Sequence, residues 1–442
     1  MHREGQRLAD GGTEAGAGYG PLADARPSAR SLRGLDGINF LMADVRDGVG
    51  PYLAVFLKGG AHWNPGAIGI AMAASAIAAA VCQVPAGMLV DGMRAKRALV
   101  AVSGLMVAAG CLLIVLRPRL LTVLVAQAGL GAASAIIPPA IAALSLGLVG
   151  RRRLDARISR NESFNHGGNF VAAGMVGVLG QSLGYHWIFY LICGFAVASA
   201  AVVQLIRPGE IDHRRARGGE DASHAGRPLG FRALLRRPGL LVFLASVVLF
   251  HFGNAAMLPM AGQVLAQTHP GEDTIALSAC IIAAQLVMVG VAWAVGRASA
   301  RGVGRKPIFL VALGVLPVRG VLFAMTASPY AVVGIQLLDG VAAGIFGVVA
   351  VLIAADLMQG TGRFNLAQGL TALAVGVGAG LSNATAGYVV QWFGYPVGFL
   401  YLAGIAAVAL VFFAVLMPET KGGEPARRSG TLAPECGGAS PA

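Results

Sequence analysis

The stretch GLDGINFLMADVRDGVGPYLAVFL (34–57) is long enough to cross a lipid bilayer as one α-helix, at about 1.5 Å of rise per residue. Its two ends are apolar, yet Asp44, Arg46 and Asp47 lie at its centre. An ionised side chain at the centre of a membrane helix costs about 2.5–3.5 kcal/mol on insertion scales. Charges at that depth therefore indicate either a functional site or a buried ion-pair network.

Apolar stretches of similar length follow one another along the rest of the chain. The chain is 56% hydrophobic and 12% charged, whereas a soluble domain carries about 25% charged residues. This composition predicts an all-α polytopic membrane protein, because the strands of a β-barrel are shorter and alternate in polarity. We predict twelve spans at residues 34–57, 67–90, 98–116, 120–147, 162–182, 187–206, 239–263, 275–296, 307–326, 330–353, 365–390 and 395–416.

The distribution of basic residues predicts the side of the membrane on which each loop lies. Of the 34 Lys and Arg residues, only Lys58, Arg117 and Arg119 fall in loops on the face opposite the termini. Arg46 and Arg319 lie inside spans, and all the others are on the face of the termini. Because cytoplasmic loops carry the excess of Lys and Arg, we predict a multi-pass protein of the cell inner (plasma) membrane with both termini cytoplasmic. Basic residues spread over many loops do not indicate nucleic-acid binding.

A long central loop divides the spans six and six, and the two halves resemble each other. GYHWIFYLICG (184–194) aligns with GYPVGFLYLAG (394–404) at an offset of 210 residues, and the same offset brings Asp44 onto Asn254. A parallel repeat of this kind places a substrate site near the midplane between the halves. The predicted domains are a disordered cytoplasmic tail, a six-helix bundle, a cytoplasmic loop, a second six-helix bundle and a second tail, at residues 1–33, 34–206, 207–238, 239–417 and 418–442.

The loop between spans 2 and 3 carries a recognisable motif. GMLVDGMRAKRAL (87–99) resembles the loop motif G-x-L-x-D-x-x-G-x-[KR]-x-x-L of the major facilitator superfamily, with Arg94 where the second glycine is usual. GRASARGVGRK (296–306) is similar to the corresponding loop of the second half. The resemblance covers residues 34–417 and implies a monomeric twelve-span transporter in two pseudo-symmetric halves, with spans 1, 4, 7 and 10 around a central cavity. The matching positions are Gly87, Leu89, Asp91, Lys96 and Leu99.

Two departures from the superfamily concern coupling chemistry. Where proton-driven antiporters often carry an arginine in span 4, this chain has Gln127, and its second-half counterpart is Gln336. The proline of the antiporter motif of span 5 is missing from GMVGVLGQSLG (174–184). The usual markers of drug efflux are therefore absent, and we expect coupling groups elsewhere.

The charged triplet of span 1 supplies the first candidates. Asp44 and Asp47 are three residues apart on a helix and share one face, while Arg46 points elsewhere. Gly48 and Gly50 follow and weaken the helix, and a broken helix exposes backbone groups that can bind ions or substrate. We predict that Asp44 or Asp47 binds a proton or a cationic substrate group, because desolvation makes a carboxylate a proton carrier near neutral pH. The alternative is a structural ion-pair network.

A second set of charges lies in the other half. Arg319 in span 9 is about 10 Å and Asp339 in span 10 about 14 Å from the outer ends of their helices. Similar depth on adjacent spans predicts an ion pair, which serves either coupling and substrate binding or helix packing alone.

Further polar residues complete the predicted sites. Candidates for the substrate cavity, with interhelical hydrogen bonding as the alternative, are Asn254, His251, Gln127, Gln336, Asn165 and Asn169. The resemblance suggests that charge pairs at cytoplasmic helix ends hold that face closed in one state and break in the other. The predicted gate residues are Gly87, Asp91, Lys96, Glu162, Asp356 and Arg363.

These features predict a secondary transporter that moves a small solute by alternating access, coupled to protons, with export favoured over uptake. The alternatives are proton-coupled uptake of a small organic anion held by Arg46 or Arg319, and a non-transporting membrane sensor or scaffold. No nucleophile–base pair, metal-ligand spacing or P-loop is visible, so we predict no enzyme, no cofactor and no metal. The expected partners are the solute, H⁺ and the lipid bilayer.

Overall fold

A computed structural model describes residues 27–47, 50–150, 153–213, 215–217, 236–359 and 364–421. The side chains of six residues inside those ranges are not described, namely Asp44, Arg46, Asp47, Asp155, Arg217 and Asn365. The described chain is helical, and no β-strand occurs in these ranges.

The α-helices follow one another with short connections, except for the long segment between residues 202 and 238. In chain order they are α1 (Ala29–Asp47), α2 (Gly50–Val55), α3 (Pro65–Gly92), α4 (Lys96–Leu116), α5 (Leu120–Val149), α6 (Leu154–Leu183), α7 (His186–Val202), α8 (Pro238–Asn254), α9 (Met257–Thr268), α10 (Asp273–Ala300), α11 (Arg305–Ala324), α12 (Pro329–Leu357), α13 (Phe364–Phe393) and α14 (Tyr395–Leu416). A π-helical turn at Phe56–Gly60 extends α2.

Span 1 is built from α1 and α2, and span 7 from α8 and α9. Among the described residues, ten of the predicted spans are long and apolar enough to cross a membrane, with span 7 counted as one unit over 238–268. The other two do not meet that criterion: residues 48 and 49 of span 1 lie outside the described residues, and the thirty residues of α6 are more polar. The all-α polytopic fold is confirmed.

The described buried apolar residues form one large cluster in the first half and three clusters in the second. The first is formed by residues between Leu35 and Ala216, joined by Ala266 and Leu277 of the second half. The clusters of the second half are formed by residues between Phe243 and Met417, between Ala256 and Leu402, and between Leu240 and Ala367. In a bilayer such cores gain from close packing rather than from removal of apolar surface from water.

The halves touch near the face opposite the termini, which we call the far face. Here α3 packs against α13, where Gly69 lies against the backbone of Asn383, and α6 packs against α10, where Gly177 lies against Ser278. Each glycine allows a close approach that a β-carbon would obstruct. The half-helix α2 likewise packs against α9, with Val55 against Gly262.

The opposite face, on which the termini lie, is called the termini face. Gly87, Gly290 and Gly369 lie in the halves of α3, α10 and α13 nearer that face, and no atom lies within 4 Å of an added β-carbon at any of them. The contacts named above therefore join the two halves at the far face.

Candidate functional site

A cavity of about 900 Å³ lies between the two halves. Most of its lining comes from α3, α5 and α13, and the breaks in spans 1 and 7 contribute Gly50 and Ala255. Its volume is within the range of about 300–1,000 Å³ that holds small molecules. The described lining is Gly50, Met72, Ser75, Ala76, Ala79, Ala80, Gln83, Gln127, Leu130, Ser134, Pro138, Ala255, Ala372, Val375, Gly376 and Ala379.

The break in span 7 has a defined backbone geometry. The N–H of Ala255 still donates to the carbonyl of His251 at 2.9 Å, whereas the N–H of Ala256 donates to Ser382 Oγ of α13 at 3.0 Å. That side-chain hydrogen bond satisfies a backbone group that a continuous helix would pair internally. Pro259, the third residue of α9, lacks an N–H and favours a new helix start. The break is therefore built in and exposes Ala255 to the cavity.

The described cavity lining is neutral. Gln127, predicted from its place in span 4, lines the cavity, and Gln83, Ser75 and Ser134 are lining residues that the sequence did not single out. None of the described lining residues carries a charge. Amides and hydroxyls donate and accept hydrogen bonds, so this surface suits a solute with both apolar and hydrogen-bonding groups.

The charged triplet of span 1 is close in sequence to a residue that lines this cavity. Asp44, Arg46 and Asp47 are in the last turn of α1, and Gly50, three residues after Asp47, lines the cavity. Their side chains are outside the described part of the structure, so their roles stay predictions. Gly50 has a φ of +39°, which suits glycine and marks a change of backbone direction at this point.

In the second half, four polar side chains form a closed ring. Arg319 Nη1 lies 3.0 Å from Asp339 Oδ1, so the ion pair predicted from depth is confirmed. Arg319 also donates to Asn254 Oδ1, and to Gln336 Oε1 at 2.8 Å. The two amides in turn donate to Asp339, from Asn254 Nδ2 at 3.3 Å and from Gln336 Nε2 at 2.9 Å.

This ring pairs the buried charge of Arg319 with the partly buried charge of Asp339. Arg319 is 1% exposed, and its guanidinium lies 5.1 Å from the ring centroid of Phe323. Burying a charge costs several kcal/mol unless a partner and hydrogen bonds compensate, and each amide bridges the cation and the anion. The resemblance implied that span 10 faces the cavity, but no described residue of α12 lines it. Gln336 and Asp339 instead turn toward Arg319, and the functional roles predicted for the ring residues stay predictions.

The remaining cavity candidates lie at helix contacts. His251 packs edge-on against Phe346 at 4.8 Å between ring centroids, and its buried Nε2 has no hydrogen-bond partner among the described residues. Asn165 and Asn169 are buried on α6. None of these three residues, nor Asn254, is part of the described cavity lining. Asn254 makes the interhelical hydrogen bonds that the alternative expected, and the roles predicted for His251, Asn165 and Asn169 stay predictions.

The predicted gate residues make contacts within their own halves in this conformation. Lys96 Nζ donates to the carbonyls of Val90 at 2.7 Å and Met93 at 3.3 Å. Asp356 pairs with Arg305 at 3.3 Å.

Four other gate candidates complete the set. Asp91 and Glu162 are exposed, and Gly87 has open space around it. Arg363 lies outside the described residues. The gate role of the whole set stays a prediction.

Two polar contacts of the structure were missed from the sequence. Asp36 of α1 is 7% exposed and accepts from Arg157 at 2.6 Å and from Arg160 at 2.8 Å, both on α6. At the far face, Tyr185 donates to Asp273 at 2.5 Å across the two halves. Asp36 could have been singled out in the sequence because it is an acid within an apolar span. Tyr185 could have been singled out because a Gly-Tyr pair recurs at the repeat offset in both halves.

The far-face contact links a neutral donor to a buried acceptor. Burial, reinforced by the hydrogen bond to Asp273, raises the pKa of the Tyr185 hydroxyl above its ordinary value. The hydroxyl therefore stays protonated and donates. Tyr52 and Ser278 share a second hydrogen bond across the halves at 2.8 Å, and the N–H of Gly66 donates to Gln391 at 3.1 Å. These bonds join the halves at the far face.

Two packed helical halves around a cavity that is closed on one face define a secondary transporter. A sequence model of the Major Facilitator Superfamily matches residues 36–318 and 246–435, and the chain belongs to that superfamily. It is 45% identical over 394 residues to two Mycobacterium tuberculosis proteins, the uncharacterized MFS-type transporters Rv2456c and MT2531. The alignment covers 88% of this chain and 94% of each relative.

Solved structures of transporters share the fold. A variant of the nucleoside transporter NupG superposes with a TM-score of 0.72 at 15% identity, over 88% of this chain and 100% of that chain. A bacterial homolog of the human lysosomal transporter Spinster, in an inward-facing and occupied conformation, gives 0.67 at 12% identity, over 87% and 96%. At these identities the likeness concerns the fold alone.

Proposed function

We propose that this protein exports a small solute across the inner membrane by alternating access, driven by protons that enter as the solute leaves. The supporting observation is the cavity of about 900 Å³ between two halves that are joined at the far face, with open space around glycines of α3 and α13 nearer the termini face. A cavity reached from one side at a time is what alternating access requires. With the termini in the cytoplasm, as the basic loops favour, the described conformation faces inward.

Proton coupling is proposed for Asp44 or Asp47. The carboxylate of Asp339 is already matched by Arg319, and Asp36 is matched by Arg157 and Arg160. The triplet of span 1 holds two acids and one arginine, so one acid exceeds the local positive charge. It also directly precedes the cavity-lining Gly50. A surplus carboxylate beside a cavity can bind a proton from one side and release it on the other.

The described geometry gives less support to uptake of an organic anion. That alternative needs an arginine facing the cavity. Arg319 is engaged by Asn254, Gln336 and Asp339 and does not belong to the described lining. Arg46 remains a candidate for that role, so the experiment below includes anions.

The proposal is tested with purified protein in liposomes that contain a trapped pH dye. Gradients of neutral solutes, organic cations, organic anions, sugars and oxyanions are imposed in turn. We expect one class to drive a pH change whose sign corresponds to antiport and which disappears when Asp44→Asn and Asp47→Asn are combined. Glu272→Gln, which removes an exposed far-face acid, is the matched control and should keep the signal.

Three results would contradict parts of the proposal. A pH change of the opposite sign would establish symport and overturn export. Equilibration of a labelled solute without any pH change would exclude proton coupling. A pH change that survives in the double variant would remove the coupling role from the triplet.

A further inference from the structure

Arg319 contacts both sides of the break in span 7. Its Nη1 donates to the side chain of Asn254, the last residue of α8, and lies 3.7 Å from the sulfur of Met257, the first residue of α9. The two residues between them are Ala255, which lines the cavity, and Ala256, which is bonded to Ser382. One buried guanidinium, carried by α11, therefore holds the two ends of an interrupted helix.

The half-helix beyond the break forms part of the far-face closure. Gly262 of α9 packs against Val55 of α2, across the boundary between the halves. Opening the far face requires α9 to separate from α2, and a break is where a helix can bend to allow this. Arg319 thus contacts span 7 at the junction from which α9 would bend away.

The first half carries no ion pair at the positions equivalent to Arg319 and Asp339. At the repeat offset of 210 residues these positions are Ala109 and Gly129, and the span-4 counterpart of Gln336 is Gln127. Neither alanine nor glycine has a side chain that can form an ion pair. In span 1 the charged residues therefore lie within the span itself, whereas the break in span 7 is held from a neighbouring helix.

We propose that Arg319 is a positioning residue for transport, which fixes the angle between α8 and α9 through Asn254. Through this contact it sets how readily α9 leaves α2, without touching the solute itself. The inference rests on the proposed alternating access, but it concerns the conformational balance and can be measured without a substrate.

The chemistry of the ring supplies a matched pair of variants. Asn254 and Gln336 have the same role in the ring, because each accepts from Arg319 and donates to Asp339. Asn254 is at the break, whereas Gln336 lies on the uninterrupted helix α12. Asn254→Ala and Gln336→Ala therefore remove equivalent hydrogen bonds, but only Asn254→Ala removes a contact at the break in span 7. Both variants keep the Arg319–Asp339 ion pair, which avoids an unpaired buried charge.

The reporter is Ser278→Cys, in a background whose native cysteines are replaced. Ser278 is 3% exposed and lies on α10 in the far-face closure. Alkylation by a membrane-impermeant maleimide from the far side of liposomes measures how often that face opens. Losing one hydrogen bond to a charged group corresponds to a change of about tenfold or more in such an equilibrium. We expect alkylation about tenfold faster with Asn254→Ala and little changed with Gln336→Ala, at similar thermal stability.

Each outcome bears on the inference. Equal acceleration in both variants would show that the ring acts only through general stability, and an unchanged rate in Asn254→Ala would show that it does not control the break. Either result overturns the proposal. Faster alkylation in Asn254→Ala, in a protein that moves no solute in the liposome assay, would support the inference while the proposed function fails.

Discussion

The hydrogen bond from Tyr185 to Asp273 should stabilise the far-face-closed state, and Tyr185→Phe should weaken that state. The donor lies at the start of α7 in the first half, and the acceptor begins α10 in the second half. Asp273 is 1% exposed while the face is closed. When the halves separate, its carboxylate regains water, so the variant loses the bond only in the closed state.

The size of the effect follows from the type of hydrogen bond. A hydrogen bond to a charged group contributes about 1.5–3 kcal/mol, and about 1.4 kcal/mol corresponds to a factor of ten in an equilibrium constant. Removing the hydroxyl should therefore raise the ratio of far-face-open to far-face-closed molecules by about 10- to 150-fold. The backbone N–H of Thr274 still donates to Asp273 at 2.9 Å, which favours the lower end of that range.

The assay is alkylation of Ser278→Cys from the far side of liposomes, as above. The internal repeat supplies a matched control, because Tyr395 is the repeat counterpart of Tyr185. Tyr395 donates to Gln263 at 3.2 Å, and both residues belong to the second half. Tyr395→Phe removes the same hydroxyl without removing a bond between the halves. It should lower thermal stability slightly and leave the alkylation rate near that of the parent.

Two results would refute this reasoning. If Tyr185→Phe is alkylated no faster than Tyr395→Phe, the bond does not distinguish the two conformations. If both variants accelerate alkylation equally, general loosening of the structure explains the effect. A specific acceleration in Tyr185→Phe, with the two melting temperatures alike, would establish a far-face gate.

Three further predictions follow. Asp36→Ala should lower the free energy of unfolding by about 3–5 kcal/mol in detergent, because it leaves Arg157, which is 5% exposed, without its carboxylate; a loss below 1 kcal/mol in a denaturant titration would contradict this. Burial opposes ionisation of Glu419, but hydrogen bonds from backbone N–H groups outweigh it and lower its pKa from 4.5. Its contribution is therefore present above pH 4.5 and lost as the pH falls through the lowered pKa. The melting temperatures of the parent and Glu419→Gln should accordingly differ at pH 7 and converge in acid. Asp91→Ala and Arg363→Ala should each shift the conformational balance without abolishing solute binding, and unchanged accessibility of cavity cysteines in both would exclude the gate role.

The sequence predicted the parts of the fold that depend on local pattern. Apolar runs and basic loops located the helices, and depth along two adjacent helices was sufficient to pair Arg319 with Asp339. The internal repeat drew attention to Asn254 through its correspondence with Asp44. These inferences need only distance along a helix and a constant offset, and both can be read from the chain itself.

Contacts between distant elements could not be predicted in this way. Asp36 and Arg157 are separated by 121 residues and Tyr185 and Asp273 by 88, so their pairing depends on how the helices are arranged. The direction of a side chain also depends on its partners: Asp339 turns toward Arg319 rather than into the cavity. The conformation also decides which contacts between the halves are present, because contacts at the far face exist only while that face is closed.

The ring around Arg319 also has an electrical consequence. A transmembrane potential does about 2.3 kcal/mol of work per elementary charge for each 100 mV. The ring joins one cation to one anion through two amides, so it carries no net charge as the halves move. The field therefore acts on it only as a small dipole. A strong dependence of the transport rate on voltage is therefore expected to come from the acids of span 1 or from the solute. Such a dependence would show which of these charges moves through the transmembrane potential.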